Sequence, residues 1–123
     1  MDFDELLANA KNAATNTVVS NKTIVGRVGV AALTHKKMYI GSSLSLGCSL
    51  GFCAEAAGVG EMIRNKDYII KMLVAYHCED GIVSPCGKCR EMLYQLHPEN
   101  LKCKVLLNNR VVTLEKLLPE YYP

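Results

Sequence analysis

The sequence predicts an α/β protein in which helices flank a mixed β-sheet, and three observations lead there. Half of the 123 residues are hydrophobic, which is enough for one buried core. Runs rich in Val and Ile alternate along the chain with stretches whose apolar residues recur at helical spacing. Repeats, low-complexity segments and linkers are not evident. Residues 1–123 are therefore expected to form a single domain.

The N-terminal part is expected to hold one helix and a β-hairpin. Leu and Ala recur on one helical face over residues 4–14, which predicts an amphipathic helix, and residues 16–23 are polar and turn-like. The Val- and Ile-rich residues 24–33 predict a strand that is bulged at a glycine, with a returning strand over 38–40. Residues 41–52, rich in Ser, Gly and Leu, are expected to be irregular.

Two helices and a strand are expected in the middle of the chain. The helices cover residues 54–64 and 87–96, and Pro98 marks the end of the second. Between them, the apolar residues 71–78 predict a buried strand.

The C-terminal part predicts a second hairpin. Residues 102–107 and 110–113 form its strands around the turn signal Asn108-Asn109, and residues 114–118 add one helical turn. The complete predicted order is α-β-β-α-β-α-β-β, with five strands in one mixed sheet.

Charge and hydropathy narrow the classes of partner. The formal net charge is +2, from 14 basic and 12 acidic residues, which is too small to favour nucleic acid as a partner. No apolar run is long enough to predict a membrane span. The acidic start of the chain lacks the basic-then-apolar order of a secretory signal, so a cytoplasmic location is expected.

Six cysteines allow two interpretations: a disulfide framework in an oxidising compartment, or a metal site with additional free thiols. A Cys-x-x-Cys pair and the expected cytoplasmic location favour the metal site. Three further cysteines have no partner at metal-ligand spacing and are expected to be small, inert core residues: Cys48, Cys78 and Cys103.

Two segments carry the chemistry: Cys53-Ala54-Glu55, and the pair Cys86 and Cys89. Three thiolates with one open position match a catalytic zinc site, and the zinc-deaminase signature has a three-cysteine version of this arrangement. One Zn²⁺ per chain is therefore expected on Cys53, Cys86 and Cys89. Each segment lies at a predicted helix start, where the helix dipole lowers a thiol pKa. Glu55 is the expected catalytic proton shuttle.

Arg90, directly after Cys89, is expected to support the metal site. Three thiolates on Zn²⁺ leave one net negative charge, which a nearby cation would offset. The alternative is a solvated arginine on the helix surface. A closed structural zinc site would instead need a fourth ligand, for which the candidates are Cys48, Cys78, Cys103, His77 and His97. Glu55 and Pro85 favour the catalytic interpretation, because a structural site needs neither.

At these motifs the chain resembles the cytidine deaminase superfamily, in particular its small homotetrameric members with three cysteine ligands. The similar segments are Cys53-Ala54-Glu55, Ser84-Pro85-Cys86-Gly87-Lys88-Cys89-Arg90, Val28-Gly29-Val30-Ala31-Ala32 and Leu117-Leu118-Pro119. Residues 84–98 are especially similar to blasticidin S deaminases. The resemblance implies a three-layer sandwich with a five-stranded mixed sheet, hydrolytic deamination of a cytosine-type ring, and a homotetramer.

The resemblance also implies substrate contacts. The backbone N–H of Ala54 would hold the ring carbonyl, and the carbonyl of Ser84 would orient the leaving amine. Tyr122, with Tyr121, lies where the family's C-terminal aromatic closes the pocket, sometimes that of a neighbouring subunit. The alternative is a tail packed on its own chain.

Departures from the family concern the substrate. The ribose-binding Asn-x-Glu is absent from residues 41–46, where Ser43 and Ser45 could donate hydrogen bonds or be plain loop residues. The family's Phe-Pro is Gly26-Arg27 here, which predicts that an aromatic wall is missing and that a cation faces the pocket.

The function expected from the sequence is deamination of a small molecule: cytidine, deoxycytidine, blasticidin S or another aminated heterocycle. A second hypothesis is a non-catalytic, zinc-stabilised binding or structural protein of the same fold. A third, deamination of polynucleotides, is disfavoured by the small net charge and by the absence of Trp.

Overall fold

A computed structural model describes residues 3–123. The helices are α1 (Phe3–Ala13), α2 (Ala54–Arg64), α3 (Gly87–Leu96) and α4 (Leu114–Leu117). The strands are β1 (Thr17–Ser20), β2 (Thr23–Thr34), β3 (Met38–Ser45), β4 (Ile70–His77), β5 (Gly81–Val83), β6 (Lys104–Leu106) and β7 (Val111–Thr113). Short 3-10 turns cover Gly47–Ser49 and Pro98–Lys102.

All seven strands belong to one mixed sheet. The five strands predicted from the sequence lie side by side in the order β3-β2-β4-β6-β7, and only β4 and β6 are parallel. The expected strand number is corrected from five to seven, because β1 pairs with the start of β2 and β5 with the end of β4. Both additional strands are short, and β1 is exposed along its whole length, so neither shows the alternation that predicts a strand.

The hairpin β2–β3 differs from expectation in its length. Residues 41–45 continue β3 instead of being irregular, because Leu44 and Ser45 pair with the first residues of β2. The predicted bulge is confirmed: the register shifts between Val25 and Gly29. Gly26 lies in this interval with φ +78°, a conformation that glycine adopts at little cost.

Helices cover both faces of the sheet, as the predicted three-layer sandwich requires. On one face α1 packs Leu6 and Ala10 against Ala31 and Val74. The larger cluster on the other face joins the sheet to α2, α3 and α4. Gly41 of β3 allows close approach of α2, because a side chain there would collide with backbone atoms of that helix. The first turn of α2 therefore lies directly against β3.

The three cysteines outside the metal motif were expected in the core, and only one is fully buried there. Cys103 is buried, and burial raises the pKa of its thiol to about 12, so it is an inert core residue. Cys78 is half-buried at the end of β4, and the expectation is wrong for Cys48, which is exposed on a 3-10 turn. Within residues 3–123, no helix is long and apolar enough to cross a membrane.

Candidate metal centre and catalytic cavity

The starts of two helices bring three thiols together. Cys53 precedes α2 and Cys86 precedes α3, and neither side chain caps its helix by a hydrogen bond. Their backbone carbonyls begin the helical hydrogen-bond pattern, so the thiols are free to point elsewhere. Cys89 follows in the first turn of α3. The Sγ atoms of these three residues, here called the thiol cluster, lie within 4.8 Å of one another.

The spacing of the thiol cluster fits tetrahedral zinc. Zn–S bonds of ~2.3 Å at tetrahedral angles place two sulfurs about 3.8 Å apart. The Sγ atoms of Cys53 and Cys86 are 3.8 Å apart. Among residues 3–123, no further His, Cys, Asp or Glu joins this group. Cys53, Cys86 and Cys89 would therefore hold the ion as a three-ligand site, which leaves one coordination position for water or substrate.

The protein's own groups perturb these thiols in different directions. Burial raises the pKa of Cys53 and raises that of Cys89 further, since a thiolate loses hydration and is repelled by nearby negative charge. The pKa of Cys86 is lowered, because its hydrogen bonds with Cys89 and Cys53 outweigh the opposing effect of burial. Of the three thiols, only Cys86 therefore has a pKa that the protein's own groups lower. A bound cation would favour all three thiolates.

Glu55 lies beside the thiol cluster in the first turn of α2. Its residue is only 5% exposed, and burial raises the pKa of its carboxyl. Hydrogen bonds from its own backbone N–H and from the Cys89 thiol oppose this shift. A raised pKa makes the carboxylate a stronger base, which suits a group that accepts a proton and passes it on.

A cavity of about 280 Å³ opens beside Glu55. It is lined by the start of α2, the residues before α3 and Ala75 of β4. Four further lining residues come from β2, β3 and the position before Cys53, and are here called the strand wall: Arg27, Ser43, Ser45 and Phe52. The remaining lining residues are Val28, Cys53, Ala54, Glu55, Ala75, Val83, Ser84 and Cys86.

Three of the expected substrate contacts line this cavity, namely Ala54, Ser84 and Ser43. The hydroxyl of Ser43 accepts a hydrogen bond of 3.0 Å from the Val28 N–H, so its own hydrogen is free for another acceptor. Ser43 belongs to β3 and is buried, which removes the plain-loop alternative. The Ser84 hydroxyl accepts a bond of 2.8 Å from Arg90.

Arg90 braces the segment that precedes Cys86. Its Nε donates to the carbonyl of Pro85 at 2.8 Å, Nη2 donates to Ser84, and Nη1 donates to the carbonyl of Leu117 at 3.0 Å. The guanidinium is therefore ordered by three partners, which removes the solvated-arginine alternative. These bonds tie the thiol cluster to the end of α4.

Tyr122 lies outside the cavity of its own chain. The ring of its neighbour Tyr121 stacks on Tyr94 of α3, with centroids 4.2 Å apart. The Tyr122 N–H donates to Glu91 of the same helix, and its residue is 72% exposed. Tyr122 therefore packs against α3 and does not line its own chain's cavity.

The strand wall corrects one prediction and agrees with another. Arg27 lines the cavity, as the Gly26-Arg27 departure predicts. The expected lack of an aromatic wall is wrong, because Phe52 also lines the cavity. Phe52 is held there by two backbone hydrogen bonds with Leu44, of 2.9 and 3.0 Å. In the sequence, the position of Phe52 next to Cys53 was the one indication that it lies near the site. Its place in the lining depends on its bridge to Leu44 in the C-terminal part of β3.

Known proteins are similar to this chain in sequence and in fold. No family model matches the chain. It is 32% identical to blasticidin-S deaminase of Bacillus cereus in an alignment of 133 positions, gaps included, that covers 96% of this chain and 90% of that protein. The crystal structure of cytidine deaminase from Mycobacterium tuberculosis matches with a TM-score of 0.83 at 25% identity, covering 100% of this chain and 98% of that one.

A third relative shows the same fold at lower identity. Cytidine deaminase from Burkholderia pseudomallei has a TM-score of 0.78 at 22% identity, with coverage of 99% of this chain and 100% of that one. Both the sequence and the fold are thus shared along almost the entire length, and the thiol cluster occurs within that fold. The protein belongs to the cytidine deaminase superfamily.

Proposed function

We propose that this protein is a zinc-dependent hydrolase that deaminates a cytosine-type ring in a small molecule. The observation that carries the proposal is the buried carboxyl of Glu55, which lines the cavity beside three thiols that lie within 4.8 Å of one another. A purely structural zinc site has no use for a buried carboxyl that faces a cavity. The relationship to blasticidin-S and cytidine deaminases supports the same reaction class.

The reaction replaces the ring's exocyclic amine by a carbonyl oxygen from water and releases ammonia. Cys53, Cys86 and Cys89 would hold Zn²⁺, which would supply the Lewis acidity for water activation at neutral pH. Glu55 accepts a proton from the attacking water and transfers it to the ring nitrogen while the hydroxide adds to the ring carbon. It then takes the proton of the new hydroxyl group and delivers it to the amine, which leaves as ammonia as the carbonyl forms. Its raised pKa suits both directions of transfer.

The remaining contacts of the ring are assigned to the residues around Glu55. The N–H of Ala54 is assigned to the ring carbonyl and the backbone carbonyl of Ser84 to the leaving amine, and both residues line the cavity. Phe52 supplies an aromatic face for the base. Arg90 holds the Ser84-Pro85 segment in position, and its charge also offsets that of three thiolates.

The substrate proposed is a nucleoside or a nucleoside antibiotic such as blasticidin S, whose deamination would confer antibiotic resistance.

We also propose that the protein works as a homotetramer in the cytoplasm, in which Tyr122 would reach the cavity of a neighbouring subunit. Sedimentation of the purified protein tests the tetramer.

An ammonia-release assay tests the activity. Zinc-loaded protein is incubated with cytidine, deoxycytidine, cytosine and blasticidin S, and metal content is measured in the same sample. Release from at least one compound is expected, with one zinc per chain. Glu55→Gln should lower kcat by about 10²–10⁴-fold, because a general acid–base group is lost while size is kept.

Glu61→Gln is the matched control, since Glu61 lies on the same helix and pairs with Arg64 away from the cavity. Full activity of Glu61→Gln with loss in Glu55→Gln supports the proposal. No ammonia from any compound, or full activity of Glu55→Gln, contradicts it and favours the non-catalytic, zinc-stabilised alternative.

A further inference from the structure

The charges that line the cavity are few and lie on different residues. Among the described residues that line it, Arg27 is the one cation and Glu55 the one carboxyl. Glu55 is buried beside the thiol cluster. The side chain of Arg27 is 43% exposed, so it lies where the strand wall meets solvent. The cavity therefore has an acid–base group at one residue and a half-exposed cation at another.

The backbone of Arg27 is fixed, whereas its side chain is only loosely engaged. Its carbonyl accepts a 2.8 Å hydrogen bond from the Cys78 N–H, and the preceding Gly26 forms the bulge of β2. The guanidinium approaches Glu79 at 4.0 Å, but that carboxylate is 69% exposed. Such surface pairs contribute little free energy, so a better anion can displace Glu79.

The neighbours of Arg27 on the strand wall offer hydrogen-bond donors and no competing negative charge. Ser43 has a free hydroxyl hydrogen, because its oxygen already accepts from the Val28 N–H. Ser45 also lines the cavity. A cavity lined by one guanidinium and two hydroxyls suits phosphate or carboxylate, whose oxygens accept several hydrogen bonds at once.

We propose that Arg27 selects substrates in which the sugar attached to the cytosine-type ring carries an anionic group, either a phosphate or a carboxylate. The inference rests on the proposed function, which places the ring beside Glu55. A cavity of about 280 Å³ is small for a whole nucleotide, so the anionic group lies at its exposed edge, beside Arg27. There the group keeps part of its hydration, which limits the cost of binding a charge.

The test measures binding without turnover. Zinc-loaded Glu55→Gln protein is titrated calorimetrically with cytidine, cytidine 5′-monophosphate and the 5′-carboxylate of cytidine. Both anionic ligands should bind at least about tenfold more tightly than cytidine, since charge-assisted hydrogen bonds are added. Preference for both anions identifies charge as the selected property, and preference for the phosphate alone identifies phosphate.

Variants assign the preference to Arg27. Adding Arg27→Gln should bring the affinity ratio of anionic to neutral ligand close to one, whereas Arg27→Lys should retain part of it. Glu79→Gln should raise the ratio, because the competing carboxylate is removed. Arg110→Gln is the control for lost positive charge: Arg110 is exposed beside β7, and the ratio should stay within about twofold.

Equal affinity for all three ligands, no binding of any, or a preference that survives Arg27→Gln would overturn the selection by Arg27. Ammonia release by the wild-type protein is scored separately. Deamination of cytidine without preference for the anionic ligands leaves the proposed function intact and removes this inference. Tight, Arg27-dependent binding of the anions without any ammonia release supports the selection by Arg27 and contradicts the proposed function.

Discussion

The thiol cluster and the strand wall face the same cavity but are built by different means. Each cysteine of the thiol cluster lies at or just inside the start of a helix, so a few adjacent residues decide its position. The strand wall takes Arg27 from β2, Ser43 from β3, and Phe52 from a segment bridged back to β3. Its geometry depends on pairing between residues far apart in sequence.

This difference separates reaction from selectivity. The groups that we propose to bind metal and move protons lie in short motifs at helix starts. The strand wall can change its residues without disturbing those motifs. Here it carries a cation and serines where the family's pattern has Phe-Pro and Asn-x-Glu. Substitutions in the thiol cluster should therefore abolish metal binding and turnover, whereas those in the strand wall should alter affinity for substrate.

Cys89→Ser should have the largest effect, because it removes one of three metal ligands at a buried position. Zinc content should fall from about one ion per chain to below about 0.1, and ammonia release should drop below detection. Prolonged dialysis of the wild-type protein against a chelator should give the same loss and lower the melting temperature.

Cys48→Ser provides the control, because Cys48 is exposed on a 3-10 turn outside the thiol cluster. It should keep full zinc content and activity. Retention of stoichiometric zinc by Cys89→Ser would show that the three thiols do not form the metal site.

Substitution of Arg90 should have the next largest effect, and it separates charge from positioning. Arg90→Lys keeps the positive charge but cannot reach Ser84, Pro85 and Leu117 together, as the guanidinium does. If positioning matters more, both Arg90→Lys and Arg90→Gln should lower kcat or zinc affinity by about 10–100-fold. The measurements are zinc competition with a chromogenic chelator and kcat on the best substrate.

Near wild-type behaviour of Arg90→Lys with a large loss in Arg90→Gln would instead identify charge compensation as the role of Arg90. Arg64→Lys is the matched control, because Arg64 forms only an exposed pair with Glu61 on α2. It should change neither quantity by more than about twofold.

Local signals explain which features could be predicted from the sequence. The helices over 54–64 and 87–96 are confirmed, since Pro98 and the apolar spacing mark them within the segments themselves. The convergence of Cys53, Cys86 and Cys89 was predicted from two short motifs and is observed. The raised pKa values of Cys53 and Cys89 were not foreseen, because burial depends on the packing of α2 against α3 and the sheet.

Features that depend on distant pairing were missed. β1 and β5 are held by backbone hydrogen bonds to β2 and β4, and backbone bonding leaves no pattern in the side chains. The extension of β3 to Ser45 was missed because Ser and Gly are typical of loops. Without that extension, Phe52 has no partner strand in Leu44, so its place in the strand wall could not be predicted.

Of the substitutions at Cys89, Arg90 and Phe52, Phe52→Leu should have the smallest effect. It tests the difference between the thiol cluster and the strand wall. Leucine keeps much of the apolar volume but removes the aromatic face, and Phe52 is 45% exposed, so little folding stability depends on it. KM for a cytosine-type substrate should rise about three- to tenfold, because one base–aromatic contact is lost. The value of kcat should stay within about twofold, since the thiol cluster and Glu55 are unchanged. Steady-state kinetics on the zinc-loaded protein, with Ile63→Leu on the exposed face of α2 as control, gives both constants.

A fall in kcat of the size expected for Glu55→Gln, with KM unchanged, would mean that the strand wall takes part in the chemical step. The separation between reaction and selectivity would then fail at Phe52.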